Sequence, residues 1–174
     1  MHAPKQWFNL ILLLLAISLA SVAHAKAESL NDGLQQVGKG HLTWWGISVY
    51  HATLYSMDGR YQPDQQHALQ INYRISVSAE KLAERSLDEI EQIFGPLTKR
   101  QQMIKALQKV FCDVDKGDTI IGYNHPGQGA AFYCNGQRVG YLDDPELAEA
   151  FFAIWLHPET SEPELRRELL GAVQ

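Results

Sequence analysis

The chain has 174 residues, of which 45% are hydrophobic and 20% charged, a composition typical of one folded globular domain. Fifteen lysines and arginines against twenty aspartates and glutamates give a net charge of −5, which argues against a broad phosphate-binding surface and a nucleic-acid partner. Two cysteines are too few for a disulfide-rich scaffold or a four-cysteine zinc site.

The first 25 residues have the layout of a secretory signal peptide. An apolar run over Leu10–Ile17 precedes the small-x-small site Ala23-His24-Ala25. We expect cleavage after Ala25 and a periplasmic or secreted protein with no stable membrane span. A retained anchor is the alternative, but the run is short of the roughly 20 residues that a span needs. Residues 26–36 then form a flexible leader, and residues 37–174 form one domain.

The first half of the domain predicts strands followed by helices. Residues 37–56 are rich in β-branched and aromatic side chains and predict one or two strands, with Gly46 as a bend or bulge. Apolar and polar residues alternate over 68–76, which predicts a half-buried strand. Ser78 begins a helix that Gly95-Pro96 ends, and Thr98 with Gln101 forms a capping box for a second helix.

The second half repeats this order. Residues 119–123 predict a strand, and Asn135-Gly136 between two apolar runs predicts a β-hairpin. Asp144 followed by Pro145 begins a helix, and Ser161 with Glu164 forms a capping box for the last one. Strands and helices in separate blocks favour an α+β fold with an antiparallel sheet.

Cys112 and Cys134 have two possible states. After export they would enter an oxidising compartment, where a disulfide between them would persist. They could equally be two buried free thiols, because the sequence does not give the distance between their Cα atoms.

Few residues carry a local chemical signature. The sequence has no nucleophile elbow, phosphate-binding loop or histidine spacing typical of a metal site, so we expect no cofactor and no metal. The aromatic stretch 38–55 has two readings: one wall of an apolar ligand cavity, or a strand covered on both faces. Arg74, on the polar face of its strand, suits a carboxylate contact or simple exposure to solvent.

An ordered set of segments resembles a known family. The set comprises Gly38-x-Gly40, residues 49–55, 69–73, Gly117-Asp118, Asn135-Gly136, 151–156 and 168–171. Together they resemble the chalcone isomerase-like superfamily, and its bacterial exported branch most. The resemblance implies a long antiparallel sheet covered on one face by a layer of helices, with a cleft between sheet and helices. It also implies one of two functions: cyclisation of a chalcone, as in the plant enzymes, or non-catalytic binding of a fatty acid.

The chain departs from the family pattern at the catalytic positions. The family's first-strand arginine is missing, since residues 26–59 contain no arginine, and its position falls near His41, Leu42 or Thr43. The family's strand threonine falls near Trp45. Tyr50 is retained, and Tyr55 resembles a tyrosine that helps to hold a fatty-acid carboxylate. These departures argue against an enzyme.

The leading hypothesis is an exported, non-catalytic protein that binds a small apolar ligand such as a fatty acid. Its candidate ligand-binding residues are Thr43, Trp45, Tyr50, Tyr55 and Arg74.

Two alternatives remain. One is an isomerase or lyase acting on a small phenolic or enone, with His41 or Tyr55 as acid or base. This enzyme needs His41, Tyr50 and Arg74 to converge on one cavity. The other is a periplasmic accessory module that docks a protein partner through Trp44 or Trp45. That module predicts a filled cleft and an exposed apolar patch.

Overall fold

The computed structural model describes residues 33–171, which form one antiparallel sheet and a set of helices. The six strands of this range are β1 (Gln35–Trp44), β2 (Ile47–Ser56), β3 (His67–Tyr73), β4 (Thr119–His125), β5 (Gly129–Cys134) and β6 (Gln137–Leu142). Its four helices are α1 (Ala79–Phe94), α2 (Arg100–Gln108), α3 (Pro145–Leu156) and α4 (Pro163–Leu169). The predicted signal peptide lies outside the described residues, and β1 begins two residues inside the predicted leader.

The sheet is a meander in which the spatial order is β1-β2-β3-β4-β5-β6. Every pair of neighbours is antiparallel, and α1 and α2 occupy the connection between β3 and β4. This arrangement confirms the predicted α+β fold. No helix within residues 33–171 is long and apolar enough to cross a membrane.

Two tight turns have the same backbone conformation. Asn135 and Gly136 both have positive φ, of 48° and 78°, and the predicted hairpin between β5 and β6 is confirmed. Trp45 and Gly46 have φ of 49° and 78° and join β1 to β2 in the same way. Gly46 is therefore part of a hairpin turn, and residues 37–56 are two strands.

The helix caps agree with the sequence at two helices and differ at two. The Ser78 hydroxyl accepts the Lys81 amide at 3.3 Å, and the Asp144 carboxylate accepts the Leu147 amide at 3.0 Å. The capping boxes predicted at Thr98 and Ser161 are wrong. Helix α2 is capped by Lys99 and α4 by Glu162, neither through its side chain. The Ser161 hydroxyl instead donates a hydrogen bond to Glu89 Oε2 on α1, at 2.6 Å.

One face of the sheet packs against the helices. Buried side chains on this face include Leu54 on β2 and Leu69 on β3, which pair across the strands. Helix α4 lies so close to β1 that a Cβ at Gly38 would stand 2.3 Å from the Glu168 carbonyl oxygen. At Gly40 a Cβ would stand 2.7 Å from Leu165 Cδ1. The Gly-x-Gly pattern of β1 is thus a helix-packing requirement.

A disulfide fixes the second half of the domain. Cys112, after α2, is bonded to Cys134 at the end of β5, with the two Cα atoms 6.5 Å apart. Of the two states that the sequence allowed, the structure has the disulfide.

Candidate functional site

A cavity of about 510 Å³ lies between the sheet and the helices. Strands β1 to β4 form one wall, and α1, α3 and the segment before α4 form the other. Its lining is mostly apolar, with contributions from Leu42, Val49, Ile71, Leu82, Phe111 and Ile154. Both the volume and the apolar lining are typical of a small-molecule site.

Two tyrosines stand side by side in the strand wall of this cavity. Tyr50 on β2 and Tyr73 on β3 are direct cross-strand partners, with ring centroids 6.3 Å apart. Trp155 Nε1 on α3 donates a hydrogen bond to the Tyr50 hydroxyl oxygen at 2.9 Å. The Tyr50 O–H therefore remains free to donate to a further acceptor. Within the described residues, the Tyr73 hydroxyl has no hydrogen-bond partner.

Both hydroxyls stay protonated near neutral pH. Burial raises the pKa of the Tyr50 hydroxyl, and the negative charges of Glu162 and Glu89 raise it further. Burial likewise raises the pKa of Tyr73, with a smaller contribution from Tyr50. The pair can therefore donate hydrogen bonds to a ligand oxygen but is unsuited to accept its proton.

A polar wall faces these tyrosines from α1 and the segment before α4. Arg85 forms an ion pair with Glu89 one helical turn away, and the other Glu89 oxygen accepts the Ser161 hydroxyl. Both carboxylate oxygens of the buried Glu89 are thus satisfied. Glu162 also lines the cavity, and its pKa is raised, first by burial and then by the charge of Glu89. Lys81 adds a second cation beside Arg85.

The formal charges of these four side chains sum to zero, because two cations and two carboxylates line the cavity. Across residues 33–171, no group of three or more histidine, cysteine, aspartate or glutamate side chains is placed to hold a metal ion.

Of the predicted ligand-binding residues, only Tyr50 lines the cavity. Thr43 is exposed, and it follows Leu42 and precedes Trp44, which both line the cavity. Because successive side chains of a strand point to opposite faces, Thr43 points away from the cavity. Trp45 lies in the turn and is 87% exposed, so Trp44 takes the place at the cavity that we expected for Trp45. Arg74 is exposed beyond the end of β3.

The candidate acid–base residues lie on the face of the sheet opposite the cavity. His41 is the direct cross-strand partner of His51, and their ring centroids are 5.9 Å apart. Tyr55 lies between Leu54 and Ser56, whose side chains are buried on the helix side. The convergence of His41, Tyr50 and Arg74 that an enzyme would need is therefore not present.

Several residues of the site were missed by sequence reasoning. Tyr73 was open to prediction, because it alternates with Ile71 on the apolar face of β3. The spacing of Arg85 and Glu89 is that of an ordinary surface pair on a helix. Ser161 was assigned to a cap. Only the packing of α1 against the segment before α4 brings these three side chains together.

The helix-covered antiparallel sheet and the apolar cavity between its two layers define a fold with room for a small molecule. Residues 18–171 match the model of the family described as chalcone isomerase-like, and the chain belongs to this family. The resemblance to this family seen in the sequence is thereby confirmed.

Two known proteins are similar to this chain. A protein of uncharacterised function from Haemophilus influenzae is 28% identical over 138 residues, which cover 79% of this chain and 68% of the relative. A solved fatty-acid binding protein of Arabidopsis thaliana has the same fold, with a TM-score of 0.63 at 13% identity. The match covers 81% of this chain and 88% of the Arabidopsis chain.

Proposed function

We propose that this protein is exported and binds a small elongated apolar ligand, such as a fatty acid, without catalysing a reaction on it. The observation that carries the proposal is the apolar cavity of about 510 Å³ with two tyrosine hydroxyls in its wall that can donate to a ligand. Membership of the chalcone isomerase-like family supports it, as does the shared fold with a fatty-acid binding protein.

The lining assigns a part to each end of such a ligand. Its hydrocarbon chain would lie against the apolar wall, where each buried CH₂ contributes roughly 0.8 kcal/mol. Its oxygen-bearing end would accept hydrogen bonds from Tyr50 and Tyr73. Two such donors suit an acceptor such as a carboxyl or carbonyl group. Lys81 forms no ion pair with any residue in the described range and can attract an anionic end group.

Three features support binding over catalysis. The family's first-strand arginine is missing, so nothing at that position would stabilise a negative oxygen in a transition state. His41 and Tyr55 lie on the opposite face of the sheet from the cavity. The tyrosines that do line the cavity have raised pKa values and are poor general bases.

The first experiment is native mass spectrometry of the protein purified from a bacterial periplasm with no ligand added. We expect a discrete added mass that disappears on denaturation, and a polypeptide that begins at Lys26. The added mass identifies the ligand class. A polypeptide that retains residues 1–25 would contradict export with cleavage.

A displacement assay with a fluorescent medium-chain fatty acid tests the cavity directly. Leu82→Trp places a larger side chain in the cavity wall and should abolish binding, whereas Val139→Trp, at a partly exposed position on β6, should leave it unchanged. Tyr50→Phe combined with Tyr73→Phe should weaken the binding of the acid about tenfold or more, by removing two hydrogen bonds. Equal binding by wild type and Leu82→Trp would exclude the cavity as the site.

A further inference from the structure

The hairpin between β1 and β2 extends beyond the rest of the sheet. Pairing of β2 with β3 ends at Tyr50 and Tyr73, followed by one more bond from the Arg74 amide to the Val49 carbonyl at 2.8 Å. Past that point β1 and β2 pair only with each other, through Thr43 with Ser48 and Trp44 with Ile47. We call residues 44–47 the hairpin tip.

The hairpin tip carries three large apolar side chains in solvent. Trp44 is 66% exposed, Trp45 87% and Ile47 58%, and the two indole rings meet edge to face at 6.4 Å. Single exposed apolar residues are normal on protein surfaces, but a contiguous group marks an interaction surface. Tryptophan in particular favours the boundary between water and lipid, because its ring is apolar and its N–H is polar.

The charge around the hairpin tip suits an anionic lipid surface. Residues 33–57 contain no aspartate or glutamate, although the chain has a net charge of −5. Arg74 is held next to β2 by the hydrogen bond from its amide to the Val49 carbonyl, and Lys81 lines the cavity together with Trp44. Within residues 33–171 neither side chain forms an ion pair.

Acids oppose these two cations: Glu80 and Asp115 are exposed, and the Asp115 carboxylate accepts the Ser76 hydroxyl, two residues after Arg74. Glu89 and Glu162 share the cavity lining with Lys81. The strand pair that carries the tip is the part without acids.

The hairpin tip is also continuous with the cavity. Trp44 belongs to the tip and lines the cavity, as does Val49 just beyond the turn. A surface that contacts lipid at the tip would therefore lie beside the cavity opening. An apolar ligand taken from a bilayer could then enter without crossing water.

We propose that the hairpin tip docks into the headgroup region of an anionic lipid bilayer and admits the apolar ligand to the cavity past Trp44. Docking rests on the exposed tip and its surrounding charges. The route past Trp44 rests, in addition, on the proposed function.

Vesicle co-sedimentation tests the docking. The full-length protein as isolated is mixed with vesicles of phosphatidylethanolamine and phosphatidylglycerol, and separately with vesicles of phosphatidylcholine. We expect stronger binding to the anionic vesicles, weakened by added salt. Trp45→Ser combined with Ile47→Ser should reduce binding about tenfold or more, because it removes two apolar side chains from the contact. Arg74→Gln should reduce binding to the anionic vesicles alone.

Phe94→Ser is the matched control, because Phe94 is 54% exposed on α1, outside the hairpin tip. It should bind vesicles as the wild type does. Far-ultraviolet circular dichroism and the thermal midpoint show that the hairpin tip variant is folded. Its affinity for a fluorescent fatty acid in solution should be unchanged, while transfer of that acid from labelled vesicles slows.

Three results would overturn the proposal: no vesicle binding by the wild type, equal binding by the hairpin tip variant, or a dimer in solution that the tip variant converts to monomer. The last would make the tip a contact between two copies of the chain. Vesicle binding without fatty-acid uptake would overturn the proposed function and leave the docking intact. Fatty-acid uptake without vesicle binding would do the reverse.

Discussion

The two ends of the helix-facing side of the sheet are built differently from the same strands. At one end Tyr50, Tyr73 and Ile71 line a cavity. At the other end Phe152 fills the space above Gly122, where an added Cβ would stand 3.1 Å from the Phe152 ring. The cavity therefore results from where side chains of different size are placed, in a molecule whose other end is closely packed.

Helix α3 contributes to both ends. Phe152, only 2% exposed, packs against His67 with ring centroids 5.1 Å apart. One turn later, Trp155 instead donates a hydrogen bond to the Tyr50 hydroxyl, and its ring lines the cavity. The Phe151 ring contacts both, with its centroid 5.3 Å from that of Phe152 and 5.3 Å from that of Trp155, and it also lines the cavity. The same helix thus closes one end of the space and supports the wall of the other.

The largest effect should come from opening the packed end. Phe152→Ala is expected to lower the free energy of unfolding by about 3–5 kcal/mol, through lost apolar burial and a new void. Denaturant titration monitored by circular dichroism measures this change. Phe94→Ala, the same substitution at an exposed site, should cost no more than about 0.5 kcal/mol. Equal losses at the two positions would remove the distinction between core and surface.

Removing the disulfide should have the next largest effect. Cys134 belongs to the packed core, and its bond closes a loop between residues 22 apart. Cys112→Ala combined with Cys134→Ala should lower the free energy of unfolding by about 3 kcal/mol, since the unfolded chain gains freedom. Reductant should destabilise the wild type and leave the double variant unaffected. A wild type that shows no response to reductant would count against this contribution.

Adding atoms should affect the two ends in opposite ways. Gly122→Ala places a methyl group against Phe132 and Phe152 and should destabilise the protein by about 1–3 kcal/mol. Leu82→Phe adds atoms at the cavity wall, where there is room, and should cost less than about 1 kcal/mol while reducing ligand uptake. Thermal and chemical denaturation of the pair measure the difference. A larger loss from Leu82→Phe would mean that the cavity end is as tightly packed as the other.

The smallest effect should be a pH dependence of stability from His67. Burial lowers the pKa of His67, so the folded protein holds this ring neutral where the unfolded chain, with a pKa of about 6.5, begins to protonate it. The stability that the folded protein has from keeping His67 neutral is fully present above about pH 6.5, and it is lost as the pH falls below that value. His67→Gln should flatten this part of the stability profile, and His51→Gln, at an exposed position, should not. A steep profile retained in His67→Gln would assign the effect to other groups.

Much of the fold was predictable where local chemistry decides structure. Alternation over 68–76 predicted β3, and Asn135-Gly136 predicted the turn between β5 and β6. The turn between β1 and β2 was not predicted, because a tryptophan seldom takes the first position of a turn that needs positive φ. The predicted cap at Ser161 failed for a different reason: its hydroxyl has a partner 72 residues away.

The site was predictable only in part, because a strand pattern does not identify which of its two faces borders a cavity. Tyr50 and Tyr55 are both strand tyrosines, but an odd spacing puts them on opposite faces of β2. The polar wall of Arg85, Glu89 and Ser161 depends on the packing of segments distant in sequence. The spacing of residues close in sequence does not predict a contact of this kind.

The meander has a consequence for the order in which the molecule folds. Each hairpin joins strands close in sequence, but β3 and β4 meet across two helices, where Asn72 donates to Thr119, 47 residues away. Closing that long loop costs more entropy than forming any hairpin, so we expect two three-stranded halves to form before they join. The disulfide joins β5 to the end of the connection that precedes β4, so it can form before the two halves meet. Because Ile71 and Ile120 contribute to the cavity from different halves, the ligand site is complete only after this last step.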